Sequence, residues 1–291
     1  MKSAINIIPD INKKDNLVRL IESGGEKVNE LFRMAGEVKE NNVGNKIYFR
    51  GLIEFSNFCR KNCLYCGLRK ANTEVSRYDL DDKEIIDSAM FAYENDFASV
   101  VLQSGEIVSK RFTLRIERLL NKIHTLTNGN LRVTLSCGEQ TNETYQRWFD
   151  SGAHRYLLRI ESSVPSLYRR IHPDDEMHSH ERRLECLYAL KEIGYQTGTG
   201  VMIGLPFQSA EDLADDLLFM KNFDIDMVGM GPYLEHARTP LYQHRESLLT
   251  PGGRFFLTLK MIALLRIMMP DINIAIKNRT IEIDQGAFLE A

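Results

Sequence analysis

The sequence predicts an α/β protein: a TIM-type (β/α) barrel of parallel strands, with an amino-terminal helical cap and an incomplete carboxyl-terminal end. Three observations predict it. From residue 46 onward, short apolar runs alternate with amphipathic stretches, and strand followed by helix, repeated, builds βα units around a parallel sheet. Polar residues and glycines gather at the carboxyl ends of the apolar runs, where barrels keep their chemistry. The chain is 291 residues long and 43% hydrophobic, ample for one large core.

Taken in order, residues 12–23 and 26–40 read as two helices. Leu17, Leu20 and Ile21 stripe the first; Val28, Leu31, Phe32 and Ala35 stripe the second; Gly24-Gly25 breaks between them. This pair, residues 1–45, is expected to cap the barrel that occupies 46–291. Strands are expected at 47–55, 99–103, 131–135, 156–160, 197–203, 227–229 and 272–276. Helices are expected at 83–95, 112–126, 142–151, 181–193, 210–222 and 254–268. Seven strands in this order fit a barrel better than a doubly wound sheet. No low-complexity linker or boundary follows residue 45.

The strand ends are informative. The first runs into Ser56-Asn57 and a group of cysteines, the second ends Gln103-Ser104-Gly105-Glu106, and the third Ser136-Cys137-Gly138-Glu139. The fourth ends Arg159-Ile160-Glu161-Ser162, the fifth enters Met202-Ile203-Gly204-Leu205-Pro206, and the sixth Gly229-Met230-Gly231-Pro232. Glycine and serine there are ordinary turn residues. The carboxylates are not.

Composition narrows the function. Lys plus Arg is 37 against 40 Asp plus Glu, a formal net charge of −3, which advertises neither nucleic-acid nor anionic-membrane binding. No apolar run approaches the ~18 residues of a spanning helix, and residues 1–10 lack a signal-peptide pattern. Five cysteines, three of them clustered, argue for a reducing compartment, the cytoplasm.

The cluster is Cys59-Arg60-Lys61-Asn62-Cys63-Leu64-Tyr65-Cys66. An electron-transfer 4Fe–4S cluster takes four cysteines. Three leave one iron for a non-protein ligand, the requirement for reductive cleavage of S-adenosylmethionine (SAM). A structural zinc site is the alternative, but it needs a fourth ligand at short spacing, and the nearest histidine is His124. Cys137 and Cys186 read as packed thiols, and His172, His178 and His180 as solvated residues of a polar loop.

With these residues in hand, the chain resembles radical SAM enzymes, and among them FeFe-hydrogenase maturases of the HydE type, a group shared with biotin synthase and methylornithine synthase. The likeness runs through Ile53-Glu54-Phe55-Ser56-Asn57, Tyr65-Cys66-Gly67-Leu68-Arg69, Val101 to Glu106, Tyr156 to Arg159, Gly204-Leu205-Pro206 and Asp226 to Pro232. It implies that Cys59, Cys63 and Cys66 hold three irons and that Tyr65 is the usual aromatic between the last two. Ser104 and Glu106 would stand near the methionine amino group of SAM, Glu161 would accept from the ribose hydroxyls, and Arg183 would pair with the methionine carboxylate. Arg182, next door, offers the same group. Met202 and Met230 would border adenine or thioether. Arg50, Thr134, Ser136, Arg155 and Arg159 would bind a small anionic substrate, with Arg155 and Arg159 on one strand face yet able to pair with Glu139 or Glu161 instead.

The resemblance further implies a 5′-deoxyadenosyl radical acting on an iron–cysteine complex during hydrogenase di-iron assembly. A ferredoxin or flavodoxin would donate the electron, and other maturases would be partners. A methylornithine-synthase-like mutase and a non-catalytic SAM-binding relative remain open. Members continue past the seventh strand into a last strand, helix and lid. Here residues 277–284 are polar, so either the chain is shortened or the barrel is open on one side. The cysteines of a second cluster are also missing.

Overall fold

The computed structural model describes residues 10–275. One parallel sheet contains β1 (Arg50–Ser56), β2 (Ser99–Ser104), β3 (Arg132–Ser136), β4 (Arg155–Leu157) and β5 (Gln196–Thr199). A short pair, β6 (Met202–Ile203) and β8 (Gly231–Pro232), forms a second sheet, while β7 (Met227–Val228) and β9 (Asn273–Ile274) complete the first. The spatial order β1-β2-β3-β4-β5-β7-β9 follows the chain without the reversal that marks a doubly wound sheet. The sheet curls into an incomplete barrel, far enough that Arg50 Nη2 on the first strand hydrogen-bonds Asn273 Oδ1 on the last at 2.9 Å.

Outside the sheet lie α3 (Asp82–Glu94), α4 (Lys110–Thr127), α5 (Asn142–Asp150), α7 (His180–Ile193), α8 (Ala210–Asn222) and α9 (Pro251–Met268). Each begins on a side-chain cap, respectively Asp81, Ser109, Thr141, Ser179, Ser209 and Thr250, so polar residues after the strands start helices by taking up otherwise unpaired amides. The amino-terminal pair, α1 (Lys14–Glu22) and α2 (Glu26–Asn42), packs on α8 and α9. Leu17, Leu20, Ile21 and Leu31 join the same buried cluster as the barrel. Lys14 reaches Asp215 at 2.6 Å and Lys260 donates to the carbonyls of Ile21 and Ser23. No single helix among the described residues is long and apolar enough to cross a membrane.

Strand faces follow burial. Ile53 and Phe55 pack outward under the helices, and a Cβ on Gly51 would meet Val100 and Ala92. Arg50, Leu52 and Glu54 therefore point into the barrel. Register then stacks Arg50, Ser99 and Arg132 in one layer, Leu52, Val101, Thr134, Arg155 and Gln196 in the next, and Glu54, Gln103 and Ser136 above. On the helix side, Trp148 stacks with Tyr156 and donates Nε1–H to the Thr113 carbonyl at 2.9 Å. Tyr156 in turn donates its hydroxyl to the Gly138 carbonyl at 2.8 Å, so this aromatic group fixes the loop leaving β3.

Three departures from the sequence expectation have physical causes. Ile47, Tyr48 and Phe49 are 81%, 68% and 75% exposed and precede β1, because among the described residues β1 is the edge of the sheet and no neighbouring strand covers them. The expected strand 197–203 is broken at Gly200, where a Cβ would lie 1.9 Å from the Gly229 carbonyl oxygen, and its second half pairs with β8 instead. Helix α6 (Pro165–Ile171) spans seven residues, too few for apolar periodicity to reveal. Ile276, the last residue of the expected seventh strand, and the polar run 277–284 lie outside the described residues.

Gly200→Ala should force these two backbones apart and cost about 3 kcal/mol, the upper end for overpacking. Urea unfolding of the apo protein against wild type measures it.

Candidate functional site

Cys59, Cys63 and Cys66 lie in the loop leaving β1, and all three are free thiols. Neighbouring backbone holds that loop at many points. Arg60 N donates to Glu106 O at 2.9 Å, Leu64 N to Ile171 O at 3.0 Å, Lys70 N to Lys61 O at 2.8 Å, and Glu106 N to Cys59 Sγ at 3.3 Å. Gly105 permits this approach, since a Cβ there would sit 2.2 Å from the Phe58 carbonyl oxygen. Arg77 gathers the far side, its two terminal nitrogens reaching the carbonyls of Asn57, Leu68, Arg69 and Asn72 at 2.6–3.2 Å. Burial pushes the Cys63 thiol up to about 12 and raises Cys66 as well. Such thiols become thiolates when a metal cation replaces the proton.

Beneath the loop is a buried ion network. Lys61, between the first two cysteines, is 3% exposed and contacts Glu139 Oε2 at 2.9 Å, Glu106 Oε1 at 3.5 Å and the Met177 carbonyl. Glu139 Oε1 accepts from Arg183 Nε at 2.6 Å, and Arg60 Nε reaches Glu106 Oε1 at 2.9 Å. Glu106 Oε2 accepts the Glu139 backbone N–H at 2.9 Å. Burial raises the affinity of Glu139 for its proton, but the charges of Arg183 and Lys61 outweigh it and hold this carboxyl below its ordinary value. Both carboxylate oxygens of Glu106 thus tie the cysteine loop to the end of β3. Arg183 is buried, while Arg182 points outward to Glu185 and the Gln140 carbonyl. Of that pair, Arg183 faces the site; its Nε and Nη1 are committed to Glu139 and the Arg159 carbonyl, leaving Nη2.

Glu161 has the features of a ligand group. It sits at φ +66, a left-handed backbone rare for a glutamate and typical of strained functional positions. Arg159 Nη2 ion-pairs with its Oε2 at 2.9 Å and donates to the Val201 carbonyl at 2.9 Å, while this buried oxygen accepts no hydrogen bond. Ser163, two residues on, donates both N–H and hydroxyl to Asp216 Oδ1 at 2.6 and 2.7 Å. Burial pushes Asp216 up to about 7.

Met202 shares a small apolar cluster with Leu64 and Tyr65, near the cysteines. Met230 packs in the main core. Ser104 closes on the Gly105 carbonyl at 2.7 Å. Cys137 and Cys186 are buried, as expected. His172, His178 and His180 are 2%, 4% and 5% exposed, which corrects their reading as solvated. Burial, reinforced by the charge of Arg183, lowers His172 to about 3, so its ring is neutral.

At the opposite, amino-terminal end of the strands, Arg50 and Arg155 meet Arg132, a residue sequence reasoning missed. Burial lowers the pKa of Arg155, and the charges of Arg50 and Arg132 lower it further. Among the described residues none of the three has a carboxylate partner; Arg50 and Arg155 rest on the neutral amides of Asn273 and Gln196. Ser99 Oγ and Thr134 Oγ1, in the same two layers, are buried without hydrogen bonds. Ser136 and Arg159 stand higher, nearer the carboxyl ends.

The residues present suit a cluster with an open iron and a nucleoside ligand. The donor set is thiol only, and nearby lies the buried Glu161 Oε2, ion-paired with Arg159 but without a hydrogen bond. Among the described residues no three His, Cys, Asp or Glu side chains converge as one metal ion requires; a cubane instead offers a separate iron to each thiolate.

Two outcomes follow from this geometry. Lys61→Met leaves two buried carboxylates short of a cation and should cost about 3–5 kcal/mol in urea unfolding of the apo protein, with part of the loss recovered in Lys61→Met/Glu139→Gln. Asp216 binds its proton more tightly folded than unfolded, so its stabilising contribution is present below the unfolded value near ~3.9 and is lost as pH rises through about 7. Between pH 5 and pH 8 the wild-type melting temperature should fall more than that of Asp216→Asn.

The chain is 46% identical over 244 residues to the [FeFe] hydrogenase maturase subunit HydE of Thermotoga maritima, covering 84% of this chain and 66% of that protein. It is 26% identical to the 3-methylornithine synthase of Methanosarcina acetivorans, covering 84% and 67% of the two. In fold it matches crystal structures of methylornithine synthase PylB (TM-score 0.77, 24% identity, covering 90% of this chain and 74% of the other) and of the maturase HydG (0.80, 22%, covering 95% and 63%). The chain thus spans just under two thirds of the length of HydE. The sequence model of the Radical SAM superfamily matches residues 53–220, from inside β1 to α8, and so takes in all three cysteines, Glu161 and Arg183. This chain belongs to the radical SAM superfamily, whose members bind a 4Fe–4S cluster and SAM.

Proposed function

We propose that the protein reductively cleaves SAM and directs the radical at a small carboxylate-bearing anion, in assembly of the FeFe-hydrogenase active site. The three-thiol loop, in a chain 46% identical to HydE, carries this reading. When bound, the cluster would supply one electron and an open iron to SAM, whose C5′–S bond would break to give methionine and a 5′-deoxyadenosyl radical.

The chain's own residues would do the rest. Cys59, Cys63 and Cys66 would hold the irons. Arg183 Nη2 would take the methionine carboxylate, for which a guanidinium is geometrically suited. Ser104 would lie beside the methionine amino group, Glu161 Oε2 would accept the ribose hydroxyls, and Met202 would border the adenine or thioether, with Met230 supporting it from the core. Arg50, Arg132 and Arg155 would receive the substrate carboxylate, assisted by Thr134 and Ser99, while Ser136 and Arg159 line the wall between the two ends. An iron-bound cysteine complex has the required anionic group. A ferredoxin or flavodoxin and other hydrogenase maturases are the partners this activity needs, and a reducing cytoplasm is its compartment.

Anaerobic reconstitution should give one oxygen-sensitive 4Fe–4S cluster per chain, lost in Cys63→Ser. With dithionite and SAM, 5′-deoxyadenosine should form and its yield should rise on adding an iron–cysteine complex. Arg155→Gln should raise the substrate concentration needed by about tenfold. A rise with lysine instead points to a carbon-skeleton mutase. A full cluster that binds SAM without deoxyadenosine release defeats the proposal.

A further inference from the structure

We propose that His178 and His172 are positioning residues: two neutral imidazoles, each locked in one tautomer, that hold the residues separating the three thiols before a cluster arrives. This rests on the cysteine loop being the cluster site and concerns how that loop is set.

His178 Nε2 lies 2.8 Å from the backbone N of Asn62. A backbone N–H can only donate, so Nε2 must be bare and the ring proton must sit on Nδ1. Nδ1 faces Asp175 Oδ1 at 2.6 Å, and that oxygen also takes the His178 backbone N–H at 3.1 Å. The carboxylate thus fixes the tautomer that the loop amide requires. His172 repeats the logic. Its Nδ1 is 2.9 Å from the Tyr168 carbonyl, which can only accept, so the single proton of this neutral ring sits on Nδ1 and the bare Nε2 accepts the Tyr65 hydroxyl at 3.4 Å. Between them the Ile171 carbonyl takes the Leu64 N–H at 3.0 Å. Asn62, Leu64 and Tyr65, which lie between and beside the sulfurs, are therefore all held by one segment, residues 168–178.

Neutral acceptors have a purpose here. A carboxylate could accept the Asn62 N–H equally well, but it would set a negative charge beside three thiolates and make their reduced cluster costlier. An imidazole with its proton turned away supplies the lone pair without the charge.

The test compares His178→Ala, His178→Gln and His178→Glu. In apo protein, amide hydrogen exchange across residues 59–66 should quicken about tenfold in His178→Ala, and reconstituted protein should lose iron to a chelator about tenfold faster. His178→Gln, a neutral acceptor of similar reach, should stay within about twofold of wild type on both measures. His178→Glu should keep the amide protection yet lower the cluster's midpoint potential relative to His178→Gln, a shift that a packing role would not produce. Should His178→Ala fail to fold, Asp175→Ala, which frees the tautomer, should show the same losses in milder form, and Asp175→Asn, whose amide oxygen still accepts the Nδ1–H, should return both measures to wild type. Wild-type exchange and iron retention in His178→Ala, or a glutamine variant as impaired as alanine, overturns the proposal. Exchange is read without a cluster, so failure of wild type to assemble one counts against the proposed function and leaves this test standing.

Discussion

The arrangement depends on one buried carboxylate. Glu139, at the end of β3, joins Lys61 of the cysteine loop to Arg183 of α7. A short loop carrying three thiols has little apolar surface of its own and cannot hold a shape by burial. An ion network inside the protein can, because each member left alone would be a desolvated charge. Arg60, Lys61 and Arg183 face Glu106 and Glu139, three cations against two carboxylates. The excess positive charge lies where thiolates and an anionic ligand would need it, so the interaction that shapes the loop also sets its electrostatics.

The parallel sheet divides labour between its two ends. Because strands run one way, every carboxyl end faces the same rim, and the cysteine loop, Glu106, Glu139 and Glu161 all meet there. Inward-facing residues of the same strands reach down to Arg50, Arg132 and Arg155. The rim and the three arginines below share one interior, and the aromatic group around Trp148 and Tyr156 keeps β3, and with it Glu139, in register.

Local pattern made part of this legible before any coordinates. The cysteine spacing, the carboxylates after strands and the βα alternation are short-range signals, and they single out Cys59, Cys63, Cys66 and Glu161 as candidates, while Arg183 enters only through the family resemblance. What escaped is long-range. Lys61 reads as one more loop cation until a partner 78 residues away is known, and the Asn62–His178 contact spans 116 residues. Polar neighbours make the three histidines look solvated in the sequence, yet α6 folds that loop against the cysteines and buries them. Arg132 was passed over because strand register, not spacing, brings it beside Arg50 and Arg155.

The three guanidiniums, which have no acidic partner among the described residues, have a consequence for how this sequence can drift. Like charges held together in a half-buried place weaken the folded state, so selection for heat tolerance alone would favour swapping one for an apolar or acidic residue. Persistence of all three in naturally diverging lineages would record a demand from chemistry that outweighs thermal robustness, and their piecemeal erosion would mark a scaffold released from that demand.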